Sequence, residues 1–309
     1  MKRLYFFFTI VLLLGAQSLQ AQWIQTNGPN EGDVRCLAAS GSNLFAGTNG
    51  GVFLSIDNGT SWTAVNTGLT SPTVLSLAVN DSNLFAGTFG GGVFLSTNNC
   101  TSWTVVNTGL TDTIVNALAV NGSNLFAGTF GGVFLSINNG ASWTAINTGL
   151  TNTHVFSLAV NGSHLFAGAE EGGVFLSTNN GTGWTAVNTG LTDTPIRALA
   201  MNGSHLFAGA EEGGVFLSTN NGTSWTAVNT GLPGAPVLSL AVSGSNLFAG
   251  TYGVFLSTNN GTNWTDVNTG LTNTFVLTLA VNGSHLFVGT NGGGVWRRPL
   301  SEMVTGEGR

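Results

Sequence analysis

Seven tryptophans, Trp23, Trp62, Trp103, Trp143, Trp184, Trp225 and Trp264, follow one another at intervals of 39 to 41 residues, and Trp296 comes 32 residues later. A fixed period of this length marks a repeat fold, in which each unit buries its apolar faces against its neighbours. The text between tryptophans is almost constant. Residues 184–222 read WTAVNTGLTDTPIRALAMNGSHLFAGAEEGGVFLSTNNG, and the other units are light edits of it. Units so alike leave few positions for specialised chemistry.

Each unit holds four short runs rich in β-branched or aromatic residues, in the second unit 73–79, 83–88, 92–96 and 103–106. Asn-Gly, Gly-Gly and Asn-Asn pairs punctuate them, with a polar linker such as 107–111. Asn-Gly favours a two-residue hairpin because both residues tolerate positive φ, as expected at Asn121-Gly122 and Asn161-Gly162. Gly and Asn recur too often for helical repeats, and no amphipathic run reaches ten residues. Four antiparallel strands per period predict an all-β, seven-bladed β-propeller over residues 22–300. A β-solenoid is the alternative, but sharp hairpins suit meandering sheets better.

The two ends set the register. Cutting before the V-x-x-L run gives blades that begin near Val34, Val74, Val115, Val155, Ile196, Val237 and Val276. The last of these lacks an outer strand, while the segment at 23–26 has no blade before it. Pairing the two closes the ring and removes an exposed sheet edge, so a monomer is expected.

Residues 1–21 open with Lys2 and Arg3, run apolar from 4 to 14 and reach Ala16 and Ala21. This is the order of a secretory signal peptide, with cleavage expected after Ala21 or, alternatively, Ala16. The apolar run is too short to cross a bilayer, and no membrane span is expected. Export would place the protein in the periplasm, at the cell surface or outside the cell. Beyond residue 21 the five arginines stand against thirteen carboxylates, a formal net charge of −8. An acidic chain without a basic patch argues against nucleic acid as partner. Cys36 and Cys100 occupy different positions of their units, which does not favour a disulfide between them.

The turn between the third and fourth strands carries the most specific motif. Ser55, Asp57, Gly59 and Trp62 give S-x-D-x-G-x-x-W; later copies have Asn98 with Trp103, Asn138 with Trp143, Asn179 with Trp184, Asn220 with Trp225 and Asn259 with Trp264. The polar side chain should accept hydrogen bonds from turn N–H groups, glycine should take a positive φ, and the tryptophan should pack back over the hairpin. Asn offers the same acceptor without the charge. Cys100 stands at the glycine position and should be strained. At these residues the chain resembles Asp-box, or BNR, repeat proteins, and its strand text is most similar to exported bacterial propellers of the photosystem II assembly-factor and sortilin-like kinds. The resemblance implies a propeller whose boxes are structural and lie away from the working face. Some such proteins carry a C-terminal sorting domain; residues 301–309 are only a short tail.

Opposite the boxes should lie the loops between strands two and three and the linkers into strand one, where the copies diverge. These loops supply Glu170, Glu171, Glu211 and Glu212 on one arc and Phe89, Phe130 and Tyr252 on others. Such a rim suits a cation, a sugar or a basic peptide, although two solvated acidic turns would look the same. At the second position of strand one come Arg35, Leu75, Asn116, Phe156, Arg197, Leu238 and Leu277, so Arg35 and Arg197 are candidates to hold an anion or carboxylate near the axis, with a solvated or locally paired arginine as the equal alternative. The resemblance to sialidases implies three arginines, a nucleophilic tyrosine and its glutamate. Beyond the pair Arg297 and Arg298 and the terminal Arg309, the chain offers two arginines, and Tyr252 is its one tyrosine past residue 21. The four histidines lack metal-ligand spacing, and neither a metal nor a cofactor is expected. The sequence thus favours a non-catalytic scaffold for an unidentified protein partner, with a carbohydrate-binding or hydrolytic propeller as the alternative.

Overall fold

The computed structural model describes residues 22–29 and 32–303. The expected leader and residues 304–309 lie outside them. The chain forms seven four-stranded antiparallel sheets, each a meander from the axis outward. Blade 1 consists of Val34–Ser40, Asn43–Thr48, Gly51–Ser55 and Thr63–Ala64, and the next five blades repeat it. Blade 7 takes Val276–Asn282, His285–Thr290 and Val295–Pro299 from the C-terminal end and Ile24–Gln25 from the N-terminal end, in the register Ile24 to Arg297 and Gln25 to Trp296. The ring closes as the sequence required.

Packing between blades follows from the strand text. Phe45, Phe85, Phe126, Phe166, Phe207, Phe248 and Phe287 are all buried, which makes this aromatic ladder core. The Ala-Gly pair beside each one, Val288-Gly289 in the case of Phe287, allows close approach: a Cβ on Gly47, Gly87 or Gly128 would lie 2.6 to 2.7 Å from a methyl group of Val74, Val115 or Val155 in the next blade.

The tryptophans do more than cover their own hairpins, and here the structure departs from expectation. The indole N–H of Trp103, Trp143, Trp184, Trp225 and Trp264 donates to Val65, Val106, Ile146, Val187 and Val228 O, respectively, at 2.6 to 2.7 Å. Each acceptor follows the outer strand of the preceding blade, so the side chain ties consecutive blades together. Trp23 makes the same contact with Val267 O at 2.7 Å, as the counterpart of these tryptophans in blade 7. At the final seam Trp62 instead donates to Thr26 Oγ1 at 3.1 Å and is only half-buried. The outer strands are correspondingly short: the expected 103–106 is reduced to Thr104–Val105, because the backbone N–H of Trp103 is taken by Thr67 O at 2.8 Å.

Two further differences concern the inner strands. A register irregularity separates Val34 from Cys36 and recurs in most blades, leaving the second residue out of the ladder. In blade 6 the inner strand is shorter, Ser239–Ser243, and begins after the expected Val237. At the far end of these strands Asn121 donates to Gly162 O at 2.8 Å, and Asn80, Asn161 and Asn202 make the same bond to the following hairpin. Asn282, at the closing seam, has a buried amide nitrogen without a partner. A 3₁₀ turn at Leu300–Glu302 follows the last strand.

Candidate functional site

The turn motif behaves as local chemistry demands. In blade 1, Ser55 Oγ donates to Asp57 Oδ1 at 2.8 Å, and the same oxygen accepts from Ser61 N at 2.9 Å. In blade 2, Asn98 Oδ1 takes over both bonds, at 3.0 and 3.1 Å. Only the outer contact changes sense. The Ser61 hydroxyl donates to Asp57 Oδ2 at 2.6 Å, whereas Asn98 Nδ2 donates to Ser102 Oγ at 3.0 Å. Bonds from Ser61 and Ser55 hold the Asp57 carboxyl down at about 2. Gly59 has φ of 80° and Cys100, in the equivalent place, 64°, so the expected strain at Cys100 is present. Cys100 and Cys36 are both free thiols, and burial pushes each up to about 12.

The opposite face gathers the divergent loops. Phe89 N, Glu170 N, Glu211 N and Asn291 N donate to Thr73, His154, Pro195 and Phe275 O at 2.9 to 3.0 Å, which joins each loop to the linker entering its blade. Linker asparagines brace the loops from the other side. Asn188 Oδ1 accepts from Val174 N at 2.7 Å while its Nδ2 donates to Gly172 O. The variable residues therefore project from a rigid base.

Around the axis, Arg35, Leu75, Asn116, Phe156, Arg197, Leu238 and Leu277, one per blade, line a single cavity of about 200 Å³. Sequence placed this ring correctly. Its arginines are not free cations, however. Arg197 donates to Glu211 Oε2 from Nε at 2.8 Å and Nη2 at 2.5 Å, and its guanidinium lies 3.9 Å from the Phe156 ring centre. Arg35 donates to Asn49 Oδ1 at 2.5 Å and to Asp33 Oδ2 at 3.2 Å. An incoming anion must displace these acceptors, which weakens the anion reading.

The rim residues fall into separate groups. Phe89 and Tyr252 are exposed, at 57% and 59%, and Tyr252 lies 5.4 Å from Phe275 between ring centres. Phe130 stacks on His154 at 4.8 Å and meets Phe156 edge-on at 6.3 Å. His154 Nδ1 in turn contacts Glu170 Oε2. Thus Glu170 and Glu211 each have a different local partner. Glu171 and Glu212 are exposed and join no ion pair among the described residues. Sequence reasoning missed His154, Asp33, Asn49 and Phe275. The available signal was the repeat spacing, since Asn49 follows Arg35 and Glu211 follows Arg197 by 14 residues at matching positions of their units.

No group of three or more His, Cys, Asp or Glu residues among the described residues is arranged to hold a metal ion, and no helix there is long and apolar enough to cross a membrane.

A family model described as the DUF6242 beta propeller domain matches residues 133–235. No curated protein sequence matches the chain significantly. Among solved structures, the extracellular domain of a protein designated a one-component system from B. thetaiotaomicron is similar at 18% identity and TM-score 0.76, over 90% of this chain and 40% of that one. A GH74 xyloglucanase from Xanthomonas campestris is similar at 17% identity and TM-score 0.75, over 92% of this chain and 54% of that one. YCF48 bound to D1 peptide is similar at 14% identity and TM-score 0.70, over 91% of this chain and 95% of that one. The chain thus spans less than two thirds of the first two, and identities this low show the shared propeller fold.

Proposed function

We propose that this protein is an exported, non-catalytic propeller that uses the face bearing the strand two to three loops to hold another protein. The carrying observation is the contrast between faces. Six near-identical turns occupy one side; the other presents a braced rim with exposed Phe89, Tyr252 and Glu212 around a shallow funnel. Loops that vary on a rigid scaffold are where such folds place recognition. The ties from Glu170 to His154 and from Glu211 to Arg197 engage both members of that carboxylate pair on neighbouring blades, which speaks against glycoside hydrolysis by it. Among similar structures one is a xyloglucanase and another is bound to a peptide, so the fold is compatible with both classes.

The serine and carboxamide bonds of the turns support membership of the Asp-box repeat class. The basic, apolar and small-residue order of residues 1–21 supports a signal peptide, and hence a periplasmic, cell-surface or extracellular site. A photoreactive benzoylphenylalanine at Phe89, Phe130 or Tyr252, irradiated in the cell envelope, should give protein adducts that are absent when the label replaces Ile56 or Ile137 on the other face. Adducts confined to Ile56 and Ile137, or found at none of these positions, would refute the assignment. Phe130 beside His154 and Glu170 also has the aromatic-plus-acceptor character of a sugar site. Glycan-array binding abolished by Phe130→Ala would favour that second reading.

A further inference from the structure

On the reading that this face takes a protein, the structure also indicates the chemistry of the segment it takes. A cavity of about 350 Å³ opens between the strand two to three loop of blade 5 and the linker leaving that blade. The linker text is unlike the others here. Where other linkers carry Ser71, Asp112, Asn152, Asp193 or Asn273, this one has Gly234, within Pro233-Gly234-Ala235. Elsewhere that side chain packs on the loop of the blade its linker enters: a Cβ on Gly91, Gly131 or Gly293 would come within 2.4 to 3.0 Å of the Cβ of Ser71, Asp112 or Asn273. A Cβ on Gly234 would meet nothing within 4 Å. No side chain at this position narrows the cavity.

Leu232, Pro233 and Ala235 give this cavity apolar walls, and Glu211 and Glu212 stand at its edge. Glu211 engages Arg197 through Oε2, while Glu212 is exposed, its backbone N–H fixed by Thr194 Oγ1 at 2.9 Å. The Arg197–Glu211 pair connects the cavity to the axial funnel, whose wall includes Leu75, Phe156 and Leu238. The volume lies at the lower end of the roughly 300–1,000 Å³ typical of ligand pockets, so it suits one long side chain better than a whole organic ligand. An apolar wall ending in carboxylates matches a lysine or arginine, with its methylene stem on Leu232 and Pro233 and its head at the glutamates. The face as a whole agrees. It carries Asp33, Asp112, Glu170, Glu171, Asp193, Glu211 and Glu212 against Arg35 and Arg197, both already paired. Cationic partners are drawn to such a surface and anionic ones repelled.

We infer that the partner presents an extended basic segment, which seats an apolar side chain in the funnel and a lysine or arginine in the cavity beside Glu211, Glu212 and the Pro233-Gly234-Ala235 linker. Panning a phage-displayed random decapeptide library on the folded protein tests this. Selected sequences should be enriched in Arg and Lys together with an apolar residue, and their binding should weaken as salt is added. Affinity of a selected peptide, read by fluorescence anisotropy, should fall about threefold in Glu212→Gln and about tenfold in Gly234→Trp, with no change in Ile137→Ala. The Gly234 backbone lies outside the left-handed region and faces open space, so the tryptophan is compatible with folding. Enrichment of acidic or uncharged sequences, no enrichment at all, or basic peptides indifferent to both cavity substitutions would overturn the inference. If rim adducts still form in the envelope, the scaffold reading survives that failure; if they do not, the reading itself falls.

Discussion

Replacing Gly149 with alanine puts a Cβ 2.3 Å from the carbonyl oxygen of Trp184, in a residue with φ of 87°. Gly162, in the inner hairpin of the same blade, also has positive φ, 57°, but a Cβ there meets nothing within 4 Å. The pair separates backbone strain from blade contact. Alanine at either site incurs about 1–2 kcal/mol for the left-handed conformation. At Gly149 the linker must also retreat from Trp184, which threatens the bond from Trp184 N to Thr148 O at 2.9 Å and the indole bond to Ile146 O at 2.6 Å. At about 1 kcal/mol for each hydrogen bond, Gly149→Ala should cost about 3–4 kcal/mol in all. Urea unfolding at constant slope measures the difference. Equal losses for the two variants, or an unperturbed midpoint in Gly149→Ala, would refute the idea that tryptophans and linker glycines join the blades.

Three other outcomes follow from the same contacts. Trp23→Ala should cost about 3–5 kcal/mol, the usual range for an aromatic core deletion, despite lying near the chain terminus; its stability is read by the same unfolding experiment. Asp57 is held below its ordinary value of 3.8, so its stabilising contribution is present above about pH 4 and is lost as pH falls toward 2. Asp57→Asn should remove that acid-dependent loss and leave the midpoint at pH 7 little changed, because five sister turns already use Asn; acid titration of the unfolding midpoint checks both. Iodoacetamide at pH 8 should leave Cys36 and Cys100 unmodified in the folded protein and alkylate both after denaturation, since burial holds each thiol near 12.

The tryptophan period, the hairpin vocabulary and the orphan segment at 23–26 made the ring, its register and its closure legible without coordinates. The axial set from Arg35 to Leu277 was legible too, because one position per repeat maps onto one position per blade. What escaped sequence reasoning were contacts across repeats. The indole bond from Trp103 to Val65 spans 38 residues, and no local pattern distinguishes it from packing over the hairpin. For Arg35 and Arg197 the sequence left anion binding and local pairing both open, because their acceptors, Asn49, Asp33 and Glu211, are brought to them only by the folded loops. The cavity beside Gly234 was hidden because it lies between a loop and a linker that only the fold sets side by side.

Closure of the ring by the N-terminal strand underlies the placement of both faces. Ile24 and Arg297 are cross-strand partners, at a spacing of about 4.5–5.5 Å between Cα atoms that a disulfide can bridge. An Ile24→Cys, Arg297→Cys double variant should form this bond within one chain under mild oxidation, with peptide mass mapping showing the link and no dimer. Failure to cross-link, or a link only between two chains, would contradict the closed ring.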